Sequence, residues 1–192
     1  MQGIYVDHKT LLDVPRDMDA LLELIERQRI TLESTRKDKN LGEKELADHG
    51  RALNKLSASL LLCGTQEARQ ESLELNSEAI AIWTELGRAR ALHLAEIRRV
   101  DVLDALEEYD EAHVLLQRLI REQHENPDTL QRPYYTSLLT THARVLARQQ
   151  KHREASEAID KLIQTLKKQT KNQSSPIIKH VVELQEAIAQ HQ

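Results

Sequence analysis

The sequence predicts an all-α protein in which helix hairpins stack one on the next, and three observations carry that expectation. Strong helix formers (Leu, Ala, Glu, Gln, Arg, Lys) dominate, while only five Gly, four Pro, four Tyr and one Trp occur and Phe is absent. That is too little turn- and strand-forming material for a sandwich, a barrel or a doubly wound sheet. Apolar residues recur at helical spacing between Gly and Pro stops. The same apolar pattern then returns after about 40 residues, the length of one helix hairpin.

Residues 1–15 read as an N-terminal arm, with a mildly β-prone Ile4-Tyr5-Val6 and a closing Pro15. A first helix is expected over about 17–36, with Asp17 as N-cap and Met18, Leu21, Leu22, Ile25 and Leu32 near one face. The second, about 43–63, contains Gly50 and stops at Gly64, and the third, about 66–86, stops at Gly87. The fourth spans about 89–106, and the fifth runs from about 109 to 124, before Asn126-Pro127-Asp128. The sixth follows Pro133, over about 134–149, and the seventh covers about 151–170. Residues 172–192 read as a linker and a capping helix: Ser175 as N-cap, Pro176 at the first position, and a stripe of Ile177, Val181, Leu184 and Ile188. The repeat region is therefore 16–171.

The repeat is visible residue by residue. Ala112, Leu116, Leu119 and Ile120 match Ala155, Ile159, Leu162 and Ile163 at an offset of 43, and shifting back by 40 reaches Ser72, Asn76, Ala79 and Ile80. The partner helices match as well: Leu53, Leu56, Ser57 and Leu60 against Leu139, His142, Ala143 and Leu146. A small residue, Ser57 or Ala143, stands where two helices would approach closely. The middle repeat departs from the pattern, with Glu96, Arg99 and Val100 in slots that elsewhere are apolar, apolar and small.

These phrases resemble the tetratricopeptide repeat (TPR), whose signature opens W-x2-L-G-x2-Y. Leu53-x2-Leu56-Ser57-x2-Leu60 and Leu139-x2-His142-Ala143-x2-Leu146 stand in for it, and Tyr109-Asp110-Glu111-Ala112 resembles the family's turn into its second helix. The period exceeds the family's usual 34 residues and is similar to the longer repeats of bacterial regulator arrays, where a phrase like Trp83-Thr84-Glu85-Leu86-Gly87-Arg88 joins repeats. The resemblance implies a right-handed α-solenoid of about three TPR-like hairpins with terminal capping helices. It also implies a concave face lined by the first helix of each repeat. On that face would lie Arg51, Asn54 and Ala58, then Ile97, Asp101 and Asp104, then Thr140, Arg144 and Arg148. Two Arg one turn apart suit bidentate carboxylate recognition, and an Asp–Arg network between helices is the plainer use of the same charges. The Lys–Asn carboxylate clamp of chaperone-binding relatives is not matched, because Lys55 points to another face than Asn54.

The remaining chemistry is sparse. A net charge of −4 gives no general pull toward nucleic acid. One cysteine, Cys63, permits no internal disulfide, fits a reducing compartment and is expected to be a small buried hydrophobe. The N-terminus has no signal-peptide pattern, no apolar run is long enough to span a bilayer, and Gln2 excludes N-myristoylation, so a cytoplasmic protein is expected. No phosphate loop, zinc-ligand spacing or nucleophile–base pair is apparent, so no cofactor, metal or catalytic residue is expected. Trp83 is expected in the core. Of Tyr134 and Tyr135, one is expected to pack on the fifth helix. His142 falls on the inward face of the sixth helix, either as a hydrogen-bonded packing residue or in a pH-sensitive or catalytic role.

The function these features point to is a non-enzymatic scaffold or sensor module that binds a protein or peptide through Arg51, Asn54, Ile97, Asp101, Asp104, Thr140, Arg144 and Arg148. The alternative is a secretion- or assembly-type chaperone holding one client. Neither nucleic acid nor membrane is expected as a partner, and self-association stays open.

Overall fold

The structure is a computed structural model that describes residues 17–36, 42–126 and 132–169. The N-terminal arm and the expected capping helix lie outside the described residues. Seven α-helices make up the described chain: α1 (Met18–Arg36), α2 (Glu43–Cys63), α3 (Gln66–Glu85), α4 (Ala89–Ala105), α5 (Tyr109–Glu125), α6 (Arg132–Arg148) and α7 (His152–Gln169). The chain divides into two compact units, residues 1–106 and 107–192. No described helix is long and apolar enough to cross a membrane.

Local chemistry accounts for the helix ends. The Asp17 carboxylate accepts from the Ala20 N–H at 2.8 Å, capping α1. Gly64 closes α2 in the left-handed region at φ 74°, and the Thr65 hydroxyl accepts from the Ala68 N–H at 3.2 Å to start α3. After α3, the Gly87 N–H donates to the Thr84 carbonyl at 3.1 Å and the Arg88 N–H to the Trp83 carbonyl at 3.0 Å, a Schellman closure. The same closure follows α6, from Gln150 N–H to Ala147 and from Lys151 N–H to Leu146, but Gln150 adopts φ 61° without being glycine. Glu107 takes φ 65° after α4, at the position 43 residues before Gln150. The sixth helix begins at Arg132 rather than after Pro133, because a proline in the first turn surrenders no intrahelical hydrogen bond.

In the first unit, α1 packs on α2, α2 on α3 and α3 on α4. The core runs through Leu21, Ile25, Leu53, Leu56, Leu60, Ile82 and Trp83. Met18 and Leu22, expected near the same face as Leu21 and Ile25, are exposed beside the buried stripe of α1, and Ile30 is exposed as well. Close approach sets the α2–α3 crossing. Ser57 and Ser72 are both fully buried, and each hydroxyl reaches the other's backbone carbonyl, at 3.0 and 2.8 Å. Gly50 sits against Trp83, where a Cβ would lie 2.8 Å from the ring. Further along, the Asn76 amide donates to the Ala95 carbonyl at 2.9 Å, fastening α3 to α4.

In the second unit, α6 packs on both α5 and α7. Ala143, Leu146, Ala155, Ile159 and Leu162 form its core. Ala112, Ala143 and Ala155 are fully buried, at the repeat positions the sequence singles out. The middle repeat is distinctive. In α4 Val100, in the slot that is small elsewhere, and Leu103 are buried, Glu96 and Arg99 are half-buried, and Arg98 and Asp101 are buried too.

Gly50→Ala is expected to force the Trp83 ring aside and to cost about 1–3 kcal/mol, the range for overpacking a filled core. A lower melting midpoint and a shifted emission of Trp83 would register it. Ser57→Ala keeps the close approach and is expected to cost only about 1 kcal/mol, for its lost hydrogen bonds. Equal melting losses in the two variants would contradict this reading of the crossing.

Candidate functional site

The residues expected to line a groove fall in both units. In the first, Arg51 is exposed and ion-paired with Asp48 one turn earlier. Asn54 is half-buried, and its Oδ1 is buried with no partner among the described residues. Asp104 is half-buried. Two expectations need correcting. Ile97 is 1% exposed and Asp101 4%, so neither offers a surface that a partner could touch without repacking α4. Asp101 lies 3.9 Å from Arg98, another buried side chain. The reason is that α4 is buried around most of its circumference, with Ala95, Ile97, Arg98, Val100, Asp101, Val102 and Leu103 all inside. Ala58 is buried as well.

In the second unit, Thr140 is half-buried and its hydroxyl donates to the Thr136 carbonyl at 2.9 Å. Arg144 is half-buried and Arg148 exposed, one helical turn apart on α6. This unit also carries a cleft of about 660 Å³ between α5, α6 and α7, floored by Ile120, Leu139, Leu146 and Ala158. Within its lining the rings of His113 and His142 stack, centroids 5.3 Å apart and planes 19° from parallel. Burial, reinforced by the neighbouring His113, holds the His142 imidazole down to about 4. Burial and Lys151 lower His113 as well, against the pull of Glu154 and Asp110. The Tyr135 hydroxyl and His124 Nε2 are 3.2 Å apart, so Tyr135 packs on the fifth helix. Burial raises its phenol. The side chain of Tyr134 lies outside the described residues.

Two polar clusters escaped the sequence reading. His49, 4% exposed, joins three helices: its Nδ1 is 2.9 Å from the Thr35 hydroxyl of α1, and its Nε2 is 3.2 Å from the Glu78 carboxylate of α3. Arg29 of α1 and Glu71 of α3 are joined at 2.6 Å, and that hydrogen bond raises the guanidinium further. Nothing in the sequence marks His49, because its partners come from helices 14 and 29 residues away. His142 was visible as a titratable residue in an apolar repeat slot, but its stacking partner His113 was not. Cys63 differs from expectation in being half-buried at the end of α2; burial raises its thiol, and Arg29 opposes the rise.

A scan against protein-family models finds no match, and no curated protein matches the chain. Solved structures do. Two crystal structures from Podosopora anserina, of a protein assigned as a kinesin light chain with nearly identical TPR-like repeats, share this fold. The first, a point variant, matches at a TM-score of 0.73 and 17% identity, covering 90% of this chain and 78% of that one. The second matches at 0.71 and 17%, covering 90% and 79%. The fold is therefore that of a TPR-like all-α helical repeat.

His49→Ala is expected to leave Thr35 and Glu78 without their shared partner and to cost about 1–3 kcal/mol. Limited proteolysis would detect it as earlier cleavage within α1. An α1 cut no faster than in the parent would mean that the three-helix bridge contributes nothing.

Proposed function

We propose that this chain is a protein- or peptide-binding scaffold of the cytoplasm, engaging its partner through the exposed polar faces of the first helices of its repeats. The observation that carries this reading is the TPR-like fold, matched over 90% of the chain. Stacked helix hairpins display long, shallow, chemically varied surfaces suited to extended partners. The fold provides the surface, and function resides in particular residues on it.

Those residues, on this reading, are Arg144 and Arg148 with Thr140 on α6, and Arg51, Asn54 and Asp104 in the first unit. An arginine pair one turn apart can grip an acidic segment bidentately. Ile97 and Asp101 drop out of the contact surface and act as packing residues of α4. The 172–192 segment would serve as a polar-faced cap for the apolar side of the last hairpin.

Affinity capture from native lysate, read by mass spectrometry, tests the proposal. Several recurrent partners support a scaffold, whereas one dominant client would turn the reading into that of a dedicated chaperone. Arg148→Glu, at an exposed position, is expected to weaken capture without moving the melting midpoint, since surface charges contribute about 0–1 kcal/mol to stability and act mainly on association. Arg144→Glu with Arg148→Glu should abolish capture, and the parent's capture should weaken as salt rises. Unchanged affinity in the double variant would remove this face from consideration.

A further inference from the structure

We propose that the stacked His113–His142 pair is an acid-sensitive latch on the packing of α5 against α6, closed while both imidazoles are neutral and released when one of them takes up a proton. The two rings come from different helices, so the stack spans the α5–α6 crossing. Nδ1 of His113 and Nε2 of His142 are both buried, and neither has a hydrogen-bond partner among the described residues. A neutral imidazole can leave one ring nitrogen unprotonated there. An imidazolium must carry a proton on each nitrogen, and a buried N–H without an acceptor is costly. The stack adds a second obstacle, because a charge on one ring faces the other ring across 5.3 Å.

The repeat shows that packing alone does not require histidine here. The slot of His142 in α6 is that of Leu56 in α2, which is 1% exposed in the core of the first unit. One hairpin thus fills the position with an inert side chain and the other with a titratable one.

The charges around the pair do not rescue a proton. Asp110 of α5 and Glu154 of α7 favour a charged His113, and Lys151 opposes it, but desolvation outweighs them. Farther along the cleft, Arg121 and Glu125 of α5 and Glu157 and Lys161 of α7 present both signs, so they supply no dominant counter-charge. His124 of α5 is engaged with Tyr135 of α6.

The direction of the pH effect follows. His142 ordinarily titrates at 6.5 and is held at about 4 in the folded unit. The unfolded or opened form therefore binds the proton more readily between those values, and stability is present above 6.5 and lost as pH falls toward 4. One linked proton changes the opening equilibrium by about tenfold per pH unit across that window.

Two measurements on the full chain test the latch. The ring resonances of His142, followed by NMR from pH 7.5 to 4, should remain those of a neutral imidazole at pH 5 in the native state. Hydrogen exchange, corrected for its intrinsic pH dependence, should show α5 and α6 losing protection by about tenfold per unit below pH 6.5, while α2 and α3 hold theirs. His142→Leu, which copies Leu56, should flatten that loss; the carboxylates of α5 and α7 remain in this variant, so whatever acid sensitivity they cause would persist. A native His142 that titrates near 6.5 overturns the proposal, and so does an undiminished acid loss in His142→Leu. Should the variant fail to fold, the NMR titration of the parent decides on its own.

Discussion

Two helices of a hairpin can pack along their length only if the side chains at their crossing are small, and the architecture of this protein rests on that constraint. Ser57 against Ser72 and Gly50 against Trp83 hold α2 to α3 at a distance that larger side chains would forbid. Ala112, Ala143 and Ala155 occupy the corresponding buried places in α5, α6 and α7. Once the crossings are close, the flanking leucines and isoleucines fill the space on either side, and each helix buries a stripe it could not bury alone. Serine is the more demanding choice. Its hydroxyl needs a partner in the interior, and the reciprocal bonds to the Ser57 and Ser72 carbonyls supply one.

The fold was largely legible in the sequence because its punctuation is local. Asp17, Thr65 and Gly87 start or end helices through contacts with residues three to five positions away, and Gly64 ends α2 through its left-handed backbone; both devices follow from residue type. The turns after α4 and α6 are less plainly marked. Glu107 and Gln150 adopt a left-handed backbone that side chains disfavour, so only their 43-residue separation and the helices around them betray the turn. Gly50 points the other way. Read by propensity it weakens α2, yet it is there because Trp83, 33 positions on, needs the room.

The candidate surface was less legible, for a reason specific to α4. Transferring a repeat register assigns each position a face, but it assumes that one face of every first helix is open. Burial around most of α4 breaks that assumption, so Ile97 and Asp101 are enclosed while Arg51, Arg148 and the half-buried Asp104 are not. The sequence did carry a hint in Glu96 and Arg99, which depart from the apolar slots of the other repeats. A departure of that kind shows that the helix is different without showing which residues are inside.

The buried polar groups that bridge helices are accommodated in more than one way. In the first unit the bridging side chains find partners: His49 between Thr35 and Glu78, Ser57 with Ser72, Asn76 on Ala95, and Arg29 on Glu71. Breaking any of these exposes two groups at once, so the contacts that order the unit also resist local opening. In the second unit the α5–α6 crossing carries two imidazoles whose buried nitrogens lack such partners, and their neutrality does what a hydrogen bond does elsewhere. An interaction that depends on a group being uncharged has a condition attached to it, whereas the Ser57–Ser72 pair and the Asn76–Ala95 bond, made by neutral groups, do not. The sixth helix, which brings His142 to this crossing, also carries Arg144 and Arg148.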